Sequence, residues 1–201
     1  AYQTILELPM NEQVQRDELI ARLIDAKQQY RQTKRMKMYT RLSKLHYQAN
    51  IQNIQCSENR NLSRSQLARL SDAAWINRGE NLLITGSTGS GKSFLACALG
   101  HQACAMGLRT LYFTMNRLCE QIAVAQAEGS TIKWLNRIKK AKLIILDDFG
   151  LQPINHKVKL LLLQTLEDCY EHSATVICSQ LPVAKWHEYF DEPTIADATL
   201  D

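Results

Sequence analysis

The stretch Asn81–Phe94, NLLITGSTGSGKSF, decides how the rest of the chain is read. Apolar residues give way to threonine, serine and glycine alone, then a lysine, then an apolar run with helical character. A loop so poor in side chains packs nothing at the end of what reads as a buried strand, so its composition points to a ligand. Gly86 to Ser93 fits G-x-x-x-x-G-K-[ST] at every fixed position. Glycines let successive backbone N–H groups turn inward at an anion, and the following helix adds its positive N-terminal end. Lys92 supplies a charge for the outer phosphates, and the Ser93 hydroxyl a ligand for Mg2+. An apolar strand before the loop and an apolar helix after it (Phe94, Leu95, Ala98, Leu99) are the context the motif requires. A triphosphate fills such a loop. Gly86, Ser87, Thr88, Gly89, Ser90, Gly91, Lys92, Ser93 and Phe94 are thus the candidate nucleotide-binding residues.

A phosphate loop of this kind needs a carboxylate at the end of another core strand to hold Mg2+. LIILDDFG supplies Asp147 and Asp148 after four apolar residues. Two adjacent carboxylates repel one another, and a metal ion and a water give them separate tasks: Asp147 faces the metal, Asp148 the attacking water. A third element, TVICSQLP, ends a strand on Ser179 or Gln180, at the edge where open parallel sheets bind ligands. Either could orient the water or contact the terminal phosphate.

Composition frames these motifs. The 201 residues, 45% of them hydrophobic, are enough for an ordinary globular core. The apolar runs, Leu143 to Leu146 among them, fall far short of the ~18 residues that cross a bilayer, and no charged and apolar leader opens the chain, so a cytoplasmic protein is expected. Six cysteines without Cys-x-x-Cys spacing read as free thiols in a reducing compartment. The five histidines are scattered, which disfavours a metal held by nitrogen or sulfur. The net charge of +4 is uneven: between Lys27 and Asn50 stand seven basic residues and no acidic one, after a start rich in acid (Glu7, Glu12, Asp17, Glu18, Asp25).

From about Asn11 to Tyr47 apolar residues recur at helical spacing with no glycine or proline, predicting one long helix or two shorter ones. Residues 50–62 are polar and aperiodic. A capped helix follows, with Ser63 or Ser65 as cap, and then the pattern alternates strand and helix: strands at Leu82–Thr85, 108–114, Leu143–Leu146 and Thr175–Cys178, helices at 92–106, 115–128, 132–139 and 156–172. Continuous apolar strands alternating with helices predict a parallel sheet covered on both faces. The fold class expected is α/β, a P-loop NTPase of three layers around a central parallel sheet, preceded by an N-terminal helical segment. Two parts are expected: a basic DNA- or partner-binding segment over 1–50 and an ATPase core over 51–201.

The segments RGENLLITGSTGSGKSFLACALG, LIILDDFGLQP and LPVAKWHEYFDEPTIADATLD, in this order, resemble the IstB-like branch of AAA+ ATPases. These are insertion-sequence transposition helpers related to the DnaC helicase loader. The resemblance covers about Arg16 to Asp201, and the tail after Leu181 is more specific to the branch than the phosphate loop. It makes Gly86 to Ser93 the nucleotide loop and Asp147 the Walker B metal carboxylate, with ATP and Mg2+ as cofactors. Asp148 stands where most AAA+ proteins carry a catalytic glutamate, one methylene longer, and Gln180 where the family usually has the sensor-1 asparagine. Lys92, Asp148 and Gln180 are the candidate catalytic residues on this alignment, and Ser93 and Asp147 the metal ligands. Family members continue past the position of Asp201 with an arginine resembling a finger that reaches a neighbour's nucleotide.

The resemblance implies an ATPase that switches assembly on double-stranded DNA, associates with itself in ATP and helps a transposase engage its target. Lys27, Arg31, Lys34, Arg35 and Arg41 are the candidate DNA contacts, since cations that neutralise phosphates release counterions. Three rivals remain: a loader of a replicative helicase on the same fold, a small-molecule or nucleotide kinase, and an adaptor that binds ATP without turning it over. No arginine-rich lid follows Asp148, as a kinase would need.

Overall fold

The computed structural model describes residues 16–169 and 172–190. The expected start of the first helix, including Val14, its acidic neighbours Glu7 and Glu12, and the tail from Asp191 to Asp201 lie outside the described residues. A long helix, α1 (Arg16–Ser43), leads. Two short helices, α2 (Arg64–Ser71) and α3 (Ala74–Asn77), bring the chain to strand β1 (Leu82–Thr85). Then α4 (Lys92–Ala105), β2 (Thr110–Thr114), α5 (Met115–Ala127), α6 (Thr131–Ile138), β3 (Leu143–Phe149), α7 (His156–Cys169), β4 (Ala174–Ser179) and α8 (Trp186–Phe190) follow in order.

The four strands form a parallel sheet in the order β1-β4-β3-β2. Side chains alternate across a pleated strand, and the two faces accordingly build two cores. Leu111, Phe113, Ile144, Leu146 and Ile177 pack under α5, α6 and α7. Tyr112, Leu143, Ile145, Val176 and Cys178 pack under α4 and Trp75 and Ile76 of α3. Helices thus cover both faces of a central parallel sheet, in the three-layer α/β arrangement expected, with a helix ahead of it.

Strand β1 departs from the expectation of a buried strand. Leu83 is 38% exposed and Thr85 is exposed too. It is an edge of the sheet among the described residues, pairing only with β4, so one side of its backbone and part of its outer face meet solvent. By contrast every residue of β4 is buried.

Helix starts follow local chemistry. Ser63, rather than Ser65, caps α2, because Gln66 sits at the third helical position and returns a bond to the Ser63 amide, completing a capping box. Thr114 caps α5 by accepting from the Arg117 amide. α1 packs on α4 and β2 near its C-terminal end, while Ile20, Ile24 and Tyr30 toward its start are half or more exposed. After α1 the chain turns at Lys44 (φ +59) and lies on α4, where a Cβ on Gly100 would come within 2.7 Å of Leu45 Cδ2 and 2.9 Å of Ile145 Cδ1. Only a glycine allows that approach without displacement. All six cysteines are free thiols, and Cys97, Cys104, Cys169 and Cys178 are buried. No helix among the described residues is long and apolar enough to cross a membrane.

Candidate nucleotide-binding site

Strand register brings the motif residues together. Thr85 pairs with Ser179 and Thr114 with Asp147, so the C-terminal ends of β1, β4, β3 and β2 form one rim. The Gly86 amide donates to the Ser179 carbonyl at 3.2 Å, tying the start of the loop to β4. Gly91 takes φ +93 just before α4, a left-handed turn that favours glycine, and the helix begins at Lys92. The first amides of a helix have no acceptor within it, so those of Lys92, Ser93 and Phe94 are donors in search of one. The Lys92 ammonium folds over the loop, donating to the carbonyls of Gly86 at 2.9 Å and Ser87 at 2.8 Å.

Ser93 Oγ donates to Asp147 Oδ1 at 3.0 Å. Asp147 is 2% exposed and bonded through both oxygens: Oδ1 also accepts from the Asp148 amide at 2.9 Å, and Oδ2 from the Tyr112 hydroxyl at 2.7 Å. Burial and that bond push the Tyr112 phenol above its ordinary range, so it stays protonated and donating. Tyr112 escaped the sequence reading; its only signal was a hydroxyl-bearing ring within the apolar run LRTLYFT.

Asp148 adopts φ +58, at the irregularity where β3 and β4 lose register between Leu146 and Phe149. A left-handed aspartate costs on the order of 1 kcal/mol, and the neighbouring residue offsets it. Phe149 is fully buried, with Trp186 4.6 Å and Phe190 5.8 Å away between ring centroids. The strand end is thus held from the opposite face while Asp148 is left exposed at the rim. Partial loss of hydration on its inner side and the adjoining Asp147 charge raise the Asp148 carboxyl above the usual range, and Lys92 and His46 pull against them. His46 stands in the turn after α1 and was not singled out by any motif.

Of the two polar residues ending β4, Ser179 is spent on the backbone: it donates to Phe149 O at 2.7 Å and accepts from the Leu181 amide at 3.0 Å. Gln180 reaches the loop, its Oε1 accepting from Thr88 Oγ1 at 2.7 Å. Gly86, Ser87, Ser90, Gly91, Lys92 and Phe94 line a cavity of about 1170 Å3. Thr88 and Gly89 are exposed and, like Ser93, are not part of its lining. Lys27, Arg31, Lys34, Arg35 and Arg41 lie elsewhere, all exposed on α1.

The family profile described as IstB-like ATP binding protein matches residues 1–201. The chain belongs to the IstB-like ATP-binding protein family. It is 36% identical over its whole length to the insertion sequence ATP-binding protein y4pL of Sinorhizobium fredii, covering 82% of that protein. It is 41% identical over 184 residues to y4uH of the same organism, covering 92% of this chain and 74% of the relative. In fold it resembles the DnaC helicase loader, with TM-score 0.62 and 18% identity over 78% of this chain and 94% of that one. It also resembles replication initiator DnaA bound to AMPPCP and single-stranded DNA, with TM-score 0.67 and 18% identity over 78% of this chain. The IstB-like chain spans about half the length of that DnaA chain.

Proposed function

We propose that this IstB-like protein binds and hydrolyses ATP with Mg2+, assembles on double-stranded DNA in its ATP form, and assists a transposase in engaging its target. The observation that carries the ATPase reading is the 3.0 Å contact between Ser93 Oγ and Asp147 Oδ1 beside the Lys92 ammonium. Hydroxyl and carboxylate oxygens are the hard donors Mg2+ prefers. Among the described residues no cluster of three or more His, Cys, Asp or Glu forms a metal cage, which suits an ion that is completed by phosphate oxygens and water.

The loop amides and Lys92 would hold the phosphates, and Ser93 and Asp147 would hold the metal. Magnesium supplies neutralisation of the charge that builds on the phosphate oxygens. Asp148 accepts the proton of the attacking water, a task that its raised carboxyl pKa favours over an ordinary aspartate's. Gln180 orients that water from the rim. Hydrolysis then changes which assembly is favoured, because a ligand shifts a population by its differential affinity.

DNA as the object of assembly is supported by the exposed basic residues of α1, within a DNA- or partner-binding segment over 1–50. Kinship with insertion sequence ATP-binding proteins at 36 and 41% identity favours a transposase over a replicative helicase as client. This work belongs in the cytoplasm. The decisive experiment measures ATPase rate and oligomer size of the full-length protein, with and without duplex DNA, at low and high salt. Stimulation by DNA and an ATP-dependent oligomer are expected; a rate indifferent to DNA with no oligomer in ATP would overturn the assembly reading. Co-purification with transposase rather than helicase decides the client.

A further inference from the structure

We propose that Arg60 is a second cation of the nucleotide site, contacting the polyphosphate from the segment that precedes the core; this rests on the reading of Gly86–Ser93 as a phosphate cradle. Arg60 lies outside every motif. It lines the same cavity of about 1170 Å3 as Gly86, Ser87, Ser90, Gly91 and Lys92. A Cβ built on Gly91 would lie 3.9 Å from Arg60 Nη1, so the guanidinium stands directly against the turn that opens α4.

The backbone that carries it is stapled on both sides. Arg60 closes a short 3-10 turn, Glu58–Arg60, with its amide donating to Ser57 O at 3.1 Å. Ser57 and Leu62 pair in an antiparallel bridge around it, and Ser63 immediately caps α2. An arginine mounted so is presented to the loop at reduced entropic cost.

Charge supplies the second half of the argument. The ion pairs among the described side chains are Arg22–Glu18, Arg78–Glu80 and Lys139–Asp168, none of which engages Arg60. It shares its cavity with the Lys92 ammonium and the positive end of α4. Glu80, the one carboxylate in the cavity's lining, is paired with Arg78, so the charges of Arg60 and Lys92 are left to repel, and a polyphosphate relieves that repulsion. The planar guanidinium, with five donors, matches phosphate oxygens better than an ammonium does. Arg60 acts as a positioning group that makes nucleotide affinity depend on the fold of residues 57–63.

The test is calorimetric titration of the full-length protein with ADP at low and high salt, for wild type, Arg60→Ala, Arg60→Lys and Lys92→Ala, with the melting temperature of each taken without nucleotide. Loss of a charge-assisted phosphate bond at a partly open site predicts about tenfold weaker ADP binding by Arg60→Ala. Arg60→Lys should fall between it and wild type, the gap should narrow at high salt, and the nucleotide-free melting temperature should stay within a degree or two. ADP affinity of Arg60→Ala within twofold of wild type, while Lys92→Ala fails to bind, overturns the proposal and leaves the cradle intact. An affinity loss that salt does not narrow, together with a lowered melting temperature, also overturns it, by making Arg60 structural. Wild type that binds no ADP sinks the cradle reading itself.

Discussion

Tyr112 donates its hydroxyl to Asp147 Oδ2 at 2.7 Å from the neighbouring strand. The register explains it: Asp147 pairs with Thr114, and Tyr112, two residues earlier, projects from the same face of β2. Ser93 comes to the other oxygen from α4, so one carboxylate ties the loop helix to two strands. Asp147 is therefore held in place before any metal arrives, which is the preorganisation an electrostatic site requires.

Tyr112→Phe keeps the ring and removes the donor, leaving a buried carboxylate oxygen short of one bond. The expected loss is about 1.5–3 kcal/mol, several degrees of melting temperature in a domain of this size. Saturating Mg-ATP should restore more stability to the variant than it adds to wild type, since a cation replaces the lost donor. Thermal melts with and without Mg-ATP check this; equal melting temperatures without ligand would show that Asp147 does not need the tyrosine.

Asp148→Asn should bind ATP and fail to turn it over, whereas Lys92→Ala should lose binding. The asparagine variant also tests electrostatics. Partial loss of hydration and Asp147 raise the carboxyl's pKa in the folded state, so its charged form is disfavoured there and folding is favoured while it is protonated. That stability is present at low pH and is lost as pH rises through the raised value. A neutral asparagine escapes the loss, so the variant should melt above wild type near neutral pH, and the difference should shrink on acidification. For wild type the same shift moves the acid limb of the ATPase pH profile above the range of an ordinary aspartate. A difference in melting temperature that is flat with pH would rule out the assigned cause.

Elements whose signals lie within one segment were legible before the structure. Helix α4 ends ahead of Gly107 and α5 ahead of Gly129, within a residue of the ends expected at 106 and 128, and Leu143 to Leu146 forms the buried part of β3. What depends on partners distant in the chain was not. The exposure of β1 follows from its edge position, which is set by pairing with β4 more than eighty residues later. The choice between Ser179 and Gln180 turned on which side chain the bend after β4 aims at Thr88, and Arg60 meets Gly91 only because residues 57–63 fold back over the loop. Spacing identified which residues could work, while packing decided which of them meet.

The two residues at the end of β4 predict opposite phenotypes. Ser179 is fully buried and bonds Phe149 O and the Leu181 amide, so Ser179→Ala leaves an orphaned amide and carbonyl at a cost of about 1–3 kcal/mol. Gln180 is half-buried at the rim, and Gln180→Ala should leave the melting temperature nearly unchanged while lowering kcat with little effect on ATP affinity. Paired melts and steady-state kinetics separate them. A Ser179→Ala protein with wild-type stability, or a Gln180→Ala protein with wild-type kcat, would reverse the assignment.

The basic residues of α1 predict a salt-dependent loss. Lys27, Arg31 and Lys34 are exposed and take part in none of the three ion pairs among the described side chains, so neutralising all three to glutamine should leave the melting temperature unchanged. If they contact duplex phosphates, each contact removed lowers the steepness of log affinity against log salt by about 0.9. The triple variant should therefore bind duplex DNA more weakly at low salt and converge toward wild type at high salt, for every sequence alike. Fluorescence anisotropy across a salt series measures both affinity and slope. Parallel lines of equal slope would mean that these side chains do not touch the DNA backbone, and would move the DNA surface away from the face of α1 that bears Lys27, Arg31 and Lys34.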